Sequence, residues 1–162
     1  MGMKKIYFLL CMSFLVSSSV VSCRTTNASY VSYETECLNV EQDGSVTVRA
    51  WGEGRNKADA VEQAKKNAVK DVIFKGIKDG KCNCGVKPLI FEVNAEEKYE
   101  EYFNIFFADG GEYKEYVSAE DEKFFSKSSQ RNKVGAKYGV TVRVLKSELK
   151  QRLIHDGVIK LK

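Results

Sequence analysis

The sequence predicts an α+β domain: an antiparallel sheet with a main helix, about 57–77, and one or two further helices packed on one face. Three observations lead there. Val46, Val48 and Ala50 alternate with Thr47, Arg49 and Trp51 after an Asp43-Gly44 turn, the period of a half-buried hairpin strand. Val61, Ala64, Ala68, Val69, Val72 and Ile73 then recur at helical spacing. The later apolar runs are short and strand-like, without the strand–helix alternation of a parallel sheet. A length of 162 residues fits one domain, and 43% hydrophobic with 11% aromatic content suffices for a core. One proline excludes proline-rich linkers, and one histidine excludes a multi-histidine metal cage. We expect no metal and no cofactor.

The first 22 residues stand apart. Lys4 and Lys5 precede an apolar run, Ile6 to Val16, and then small residues to Ser22. That is the layout of a secretory signal peptide, too short an apolar run to span about 30 Å of hydrocarbon. Val20-Val21-Ser22-Cys23 resembles the lipobox of bacterial lipoproteins. The resemblance implies that Cys23 is diacylated on sulfur, becomes the N-terminal residue and is acylated on its amine. Two or more acyl chains are what stable membrane attachment requires. Residues 23–32 then form the tether and 33–162 the single α+β domain. Removing Lys4 and Lys5 leaves 24 basic against 22 acidic groups, which takes away the main support for nucleic-acid binding. No acidic cluster follows Cys23 in Arg24-Thr25-Thr26-Asn27, and the expected location is the periplasmic face of the outer membrane.

Cys37, Cys82 and Cys84 remain in the mature chain, an odd number for an oxidising compartment. Cys82 and Cys84 are too closely spaced for an unstrained mutual bridge and lack a second pair for zinc. Either Cys37 bridges to Cys82 or Cys84 with one thiol spare, or all three stay reduced.

Taken in order, Tyr33–Val40 and Ser45–Glu53 read as the hairpin, and Asn56 as the cap of the helix that starts at Lys57. Pro88–Val93 reads as a short strand or extended piece. Asn94-Ala95-Glu96-Glu97 resembles a capping box opening a helix through Phe107, stopped by Gly110-Gly111. Tyr113–Ser118, Glu122–Lys127 and Tyr138–Leu145 are strand-like. Ser147 is placed to cap a last helix, Glu148–His155, with Gly157 just past its end.

Gly52-x-Gly54 lies between a strand and a helix, but Lys57 stands where a dinucleotide site needs its third glycine, and the Gly-Lys-Ser/Thr of a phosphate loop is absent. It reads as a tight turn; the other reading is an anion held by Gly54, Arg55 and Lys57 at the helix N-terminus. Tyr99, Phe103, Phe106 and Phe107 share one helix face, either core or an interface anchor. Tyr102 lies off that stripe among Glu96, Glu97, Glu100 and Glu101, so the candidate partner surface is Tyr99, Tyr102 and Phe103. His155 stands beside Asp156 with no G-x-S-x-G nucleophile motif, and no catalytic residue is assigned.

Val48-Arg49-Ala50-Trp51-Gly52-Glu53-Gly54, followed by alanines at 60, 64 and 68, resembles the small α+β domain of FlgT N-terminal type over about 30 residues. That resemblance implies a non-enzymatic domain associated with the assembly of envelope structures. Size, lipobox and layout also resemble the TssQ-like accessory lipoproteins of type VI secretion systems. The expected function is a structural or adaptor component of a cell-envelope assembly such as a secretion system, with envelope proteins as partners. The alternative is a lipid-anchored binding module for a small anionic ligand.

Overall fold

The computed structural model describes residues 34–78, 84–118, 130–132 and 135–160. All of them belong to one unit, Ser32–Lys162. The leader, Cys23, the tether, Cys82 and the expected Glu122–Lys127 strand lie outside the described residues.

β1 (Glu36–Val40) and β2 (Val46–Gly54) form the hairpin that the Asp-Gly turn predicts. Gly44 takes a positive φ of 82°, and Asp43 accepts the Ser45 N–H at 2.8 Å. Cys37 pairs with Val48 but Asn39 with Thr47, so Leu38 is a bulge that twists the edge strand. β5 (Gly135–Val144) pairs antiparallel along the whole of β2, from Val46 opposite Val144 to Gly54 opposite Ala136. Its other edge is shared by β3 (Val117–Ser118) at one end and β4 (Gln130–Asn132) at the other. The order is β1-β2-β5-β3, with β4 also on β5.

The inward residues of β2 shrink along the strand, from Val46 and Val48 through Ala50 to Gly52. The reason lies in the next element. α1 (Lys57–Lys70) begins after only Arg55 and Asn56, so it must fold straight back onto the end of the strand it has just left. A Cβ at Gly52 would sit 2.1 Å from the Ala60 carbonyl oxygen and 2.3 Å from the Ala64 nitrogen. Ala60, Ala64 and Ala68 complete the seam, each wholly buried. Asn56 caps α1 by accepting the Asp59 N–H at 2.9 Å, and Asn67 donates to the Trp51 carbonyl at 2.8 Å. On the opposite sheet face the Trp51 ring lies over Gly139, where a Cβ would be 3.0 Å from ring carbon.

Several expected boundaries move. The α-helix stops at Lys70; Asp71–Lys75 is a π turn, closed at Gly76 with φ 70°. The carbonyls of Val72 and Ile73 at this end accept the Leu89 and Ile90 N–H groups at 3.1 and 3.0 Å. Pro88–Val93 is therefore a bent segment docked on the helix end, not a strand. Asn94 has the left-handed φ of 59° and makes no side-chain cap, and the following helix breaks at Tyr99 into α2 (Ala95–Lys98) and α3 (Glu100–Phe106). Glu112–Tyr116 is a 3₁₀ turn because Tyr113 and Tyr116 both face the core; residues three apart share a side in that helix and lie on opposite sides in a strand. α4 (Lys146–His155) starts without a side-chain cap, since the Ser147 hydroxyl points to the Asp43 carbonyl at 3.4 Å. Gly157 ends it with φ 74°, Val158 N–H reaching Leu153 O at 2.9 Å and Gly157 N–H reaching Ile154 O at 3.0 Å.

Cys37, on the inner side of β1 and 1% exposed, is bridged to Cys84 across 47 residues with a Cα–Cα distance of 5.8 Å. Closing a loop of that size stabilises the fold by about 4 kcal/mol in the chain-entropy picture.

Candidate functional site

The aromatic segment packs on the flank of α1 away from the alanines. Glu62, Lys66 and Lys70 stand two residues from Ala60, Ala64 and Ala68, about 200° round the helix. Phe74 continues toward Phe103, with ring centroids 4.7 Å apart. Phe103 and Phe106 are buried, and Phe106 stacks on Tyr116 at 5.9 Å. Phe107 meets Tyr113 at 5.9 Å. The ring face is therefore core.

The hydroxyl-bearing rings are fixed at their polar ends. Tyr113 donates to Glu62, which also pairs with Lys114 at 2.9 Å. Tyr102 donates to Asp156 at 2.6 Å, and Arg152 holds the same carboxylate at 2.7 Å while reaching Glu112 at 2.8 Å. Burial would raise the Asp156 carboxyl, but hydrogen bonds from Tyr102, His155 and Arg152 outweigh it and hold the group below the usual carboxylate range. Glu62 behaves likewise, with Tyr113 and Lys114 as donors. Burial, together with the adjacent carboxylate, pushes both tyrosine hydroxyls well above their ordinary range.

This geometry corrects the expected partner surface. Tyr102 does not stand among the glutamates: it turns to α4, packs edge-on to Phe103 at 5.1 Å and is tied to Asp156. Phe103 is 4% exposed, and Tyr99 is half-buried beneath Lys98. Nothing local in the sequence announces the Tyr102–Asp156 pair, because 54 residues separate them.

The expected anion site is also accounted for differently. Gly54 is glycine because a Cβ would meet the Ala60 nitrogen at 2.5 Å. Arg55 is exposed and bonds Asp59 at 3.3 Å, while Lys57 lies over the Tyr138 ring at 5.9 Å. A carboxylate of the chain itself and the Asn56 cap thus occupy the first turn of α1. His155, at the last turn of α4, is exposed with Nδ1 3.1 Å from Asp156.

What the segment does offer to solvent is a cleft of about 360 Å³, lined by Lys70, Glu96, Glu97, Glu100, Asn104 and the edges of Phe103 and Phe107. Lys70 pairs with Glu96 at 2.6 Å and covers the Phe107 ring at 5.6 Å. Among the described residues Glu97 and Glu100 make no ion pair. The break at Tyr99 brings glutamates from both short helices to one rim above an aromatic floor. The rim is acidic, which disfavours an anion.

Among the described residues no three His, Cys, Asp or Glu side chains are grouped to hold a metal ion, and no helix is long and apolar enough to cross a membrane. Comparison with known proteins finds no family model, no curated protein and no solved structure that matches the chain.

Proposed function

We propose that the protein is a lipid-anchored envelope protein of the periplasmic face of the outer membrane, acting without catalysis as a structural or adaptor component of an envelope assembly. The observation that carries this reading is the run Val20-Val21-Ser22-Cys23 behind a charged and then apolar leader, the sequence that acylation enzymes act on. The Cys37–Cys84 bridge supports it, since structural disulfides persist in oxidising compartments outside the cytoplasm. The resemblance to FlgT-type and TssQ-like proteins supports the assembly role. The acid-rimmed cleft beside α2 and α3 is the surface through which an adaptor with this fold reaches a basic partner segment.

The test is a Cys23→Ser variant, followed by membrane fractionation and by mass spectrometry of proteins that co-purify with the wild type. The variant moves to the soluble envelope fraction, and the wild type brings down a protein partner that Glu97→Lys with Glu100→Lys loses. Membrane retention of Cys23→Ser contradicts the anchor; a wild type that co-purifies with no protein contradicts the adaptor role.

A further inference from the structure

Phe91 and Val93 are 74% and 84% exposed, although Leu89, Ile90 and Ala95 on either side are buried. The loop that presents them is firmly built. Its base hangs on the helix end through the Leu89 and Ile90 amides, Asn94 takes its left-handed turn, and Lys98 bonds Glu92 across the loop at 2.5 Å. Phe91 and Val93 thus form an apolar tip on a hydrogen-bonded loop, open to a contact outside the chain.

Where the chain enters the domain indicates what that contact is. The Thr35 hydroxyl donates to Asp71, the first residue of the π turn, and the next two residues of that turn hold the base of the Phe91 loop. The start of the domain and the loop therefore lie at one end of the molecule. Only ten residues, 24–33, separate Cys23 from Glu34, a reach of at most about 40 Å. Between Asp71 and Val93 the sequence holds four lysines against three acids, Asp71, Asp79 and Glu92. Lys75 and Lys98 neutralise Asp71 and Glu92, and among the described residues Lys78 and Lys87 make no ion pair. Lys75, Lys78 and Lys87 are exposed; Lys75 pairs with Asp71 at 3.2 Å, and the other two flank the Ile77–Val86 bridge.

We infer that this end is a second membrane contact. Phe91 and Val93 enter the interfacial layer of an anionic phospholipid surface while Lys75, Lys78 and Lys87 face its headgroups. The inference rests on the lipid anchor proposed above and adds to it a fixed orientation. Acyl chains alone leave the domain free to turn about its tether; an apolar tip with lysines at the same end of the domain holds that end down.

The experiment uses the acylated protein purified from membranes, carrying Phe91→Trp, in phosphatidylcholine vesicles with and without phosphatidylglycerol. The wild type, with Trp51 as its one tryptophan, is the reference. On anionic vesicles the introduced indole emits further to the blue, is quenched by brominated lipid and resists acrylamide. Lys78→Gln and Lys87→Gln each lower the inserted population about fivefold. An indole open to acrylamide on vesicles that still carry the protein overturns the loop contact and leaves the anchor standing, the outcome expected if a protein partner covers the loop. Protein that does not float with the vesicles overturns the anchor and this inference together.

Discussion

α1 is held on its two flanks by opposite means. Against the sheet it lies on Gly52, Gly54 and three alanines, backbone almost touching backbone. Against the segment 95–116 it is covered by rings whose polar ends are tied down by Glu62, Asp156 and Arg152. The first seam has no atoms to spare and no charge; the second is built from volume and from hydrogen bonds to charged groups. They should therefore fail in different ways: the seam when an atom is added, the ring layer when one is removed or a carboxylate is protonated.

The largest effect belongs to the ring layer. Phe103→Ala removes a buried ring that meets Phe74, Tyr102, Phe106 and Phe107, and should cost about 3–5 kcal/mol in chemical denaturation. On the seam, Gly52→Ala adds one carbon against backbone that cannot yield, and its cost should reach or pass the top of the about 1–3 kcal/mol range of overpacking. Ala64→Leu should fall within that range. A neutral Gly52→Ala would mean that α1 is not seated on the strand.

The seam is also the part that was legible in sequence. The shrinking inward series on β2, the Gly-x-Gly turn and alanines four apart are all local, and period and residue size declare them within about 25 residues. The hairpin, α1 with its Asn56 cap and the Gly157 helix end were readable for the same reason. The ring layer was not. Helical spacing marked Phe103 and Phe106 as sharing a face, but the direction in which Tyr102 turns depends on α4, far along the chain. The 3₁₀ turn at Glu112–Tyr116 escaped because two inward tyrosines override a strand-like composition. The acid-rimmed cleft draws its glutamates from both sides of the helix break at Tyr99, where no glycine or proline signals a break.

A smaller effect separates the layer's polar ties from its volume. Tyr102→Phe keeps the ring and deletes the bond to Asp156, and should cost about 1.5–3 kcal/mol, as expected for a hydrogen bond to a charged group. The same change at full volume would be silent if the layer were held by packing alone. The pH profile carries the mildest signature. The Asp156 and Glu62 carboxyls are depressed in the folded protein, so their stabilisation is fully present above the ordinary carboxylate range near 4 and is lost as pH falls below it through the folded values. Denaturation midpoints followed from pH 7 to pH 3 should fall in the wild type and fall less in Asp156→Asn, whereas Ala64→Leu should run parallel to the wild type, its seam holding no titrating group.

The proposed function rests on the proposed lipid anchor at Cys23. The intact mass of the native protein, extracted from membranes without reduction, tests that most directly. The account predicts a chain that begins at Cys23, heavier than residues 23–162 by a diacylglycerol and an amide-linked acyl chain, with the Cys37–Cys84 bridge closed. A membrane-bound protein that keeps its leader, or whose Cys23 carries no acyl chain, would contradict it.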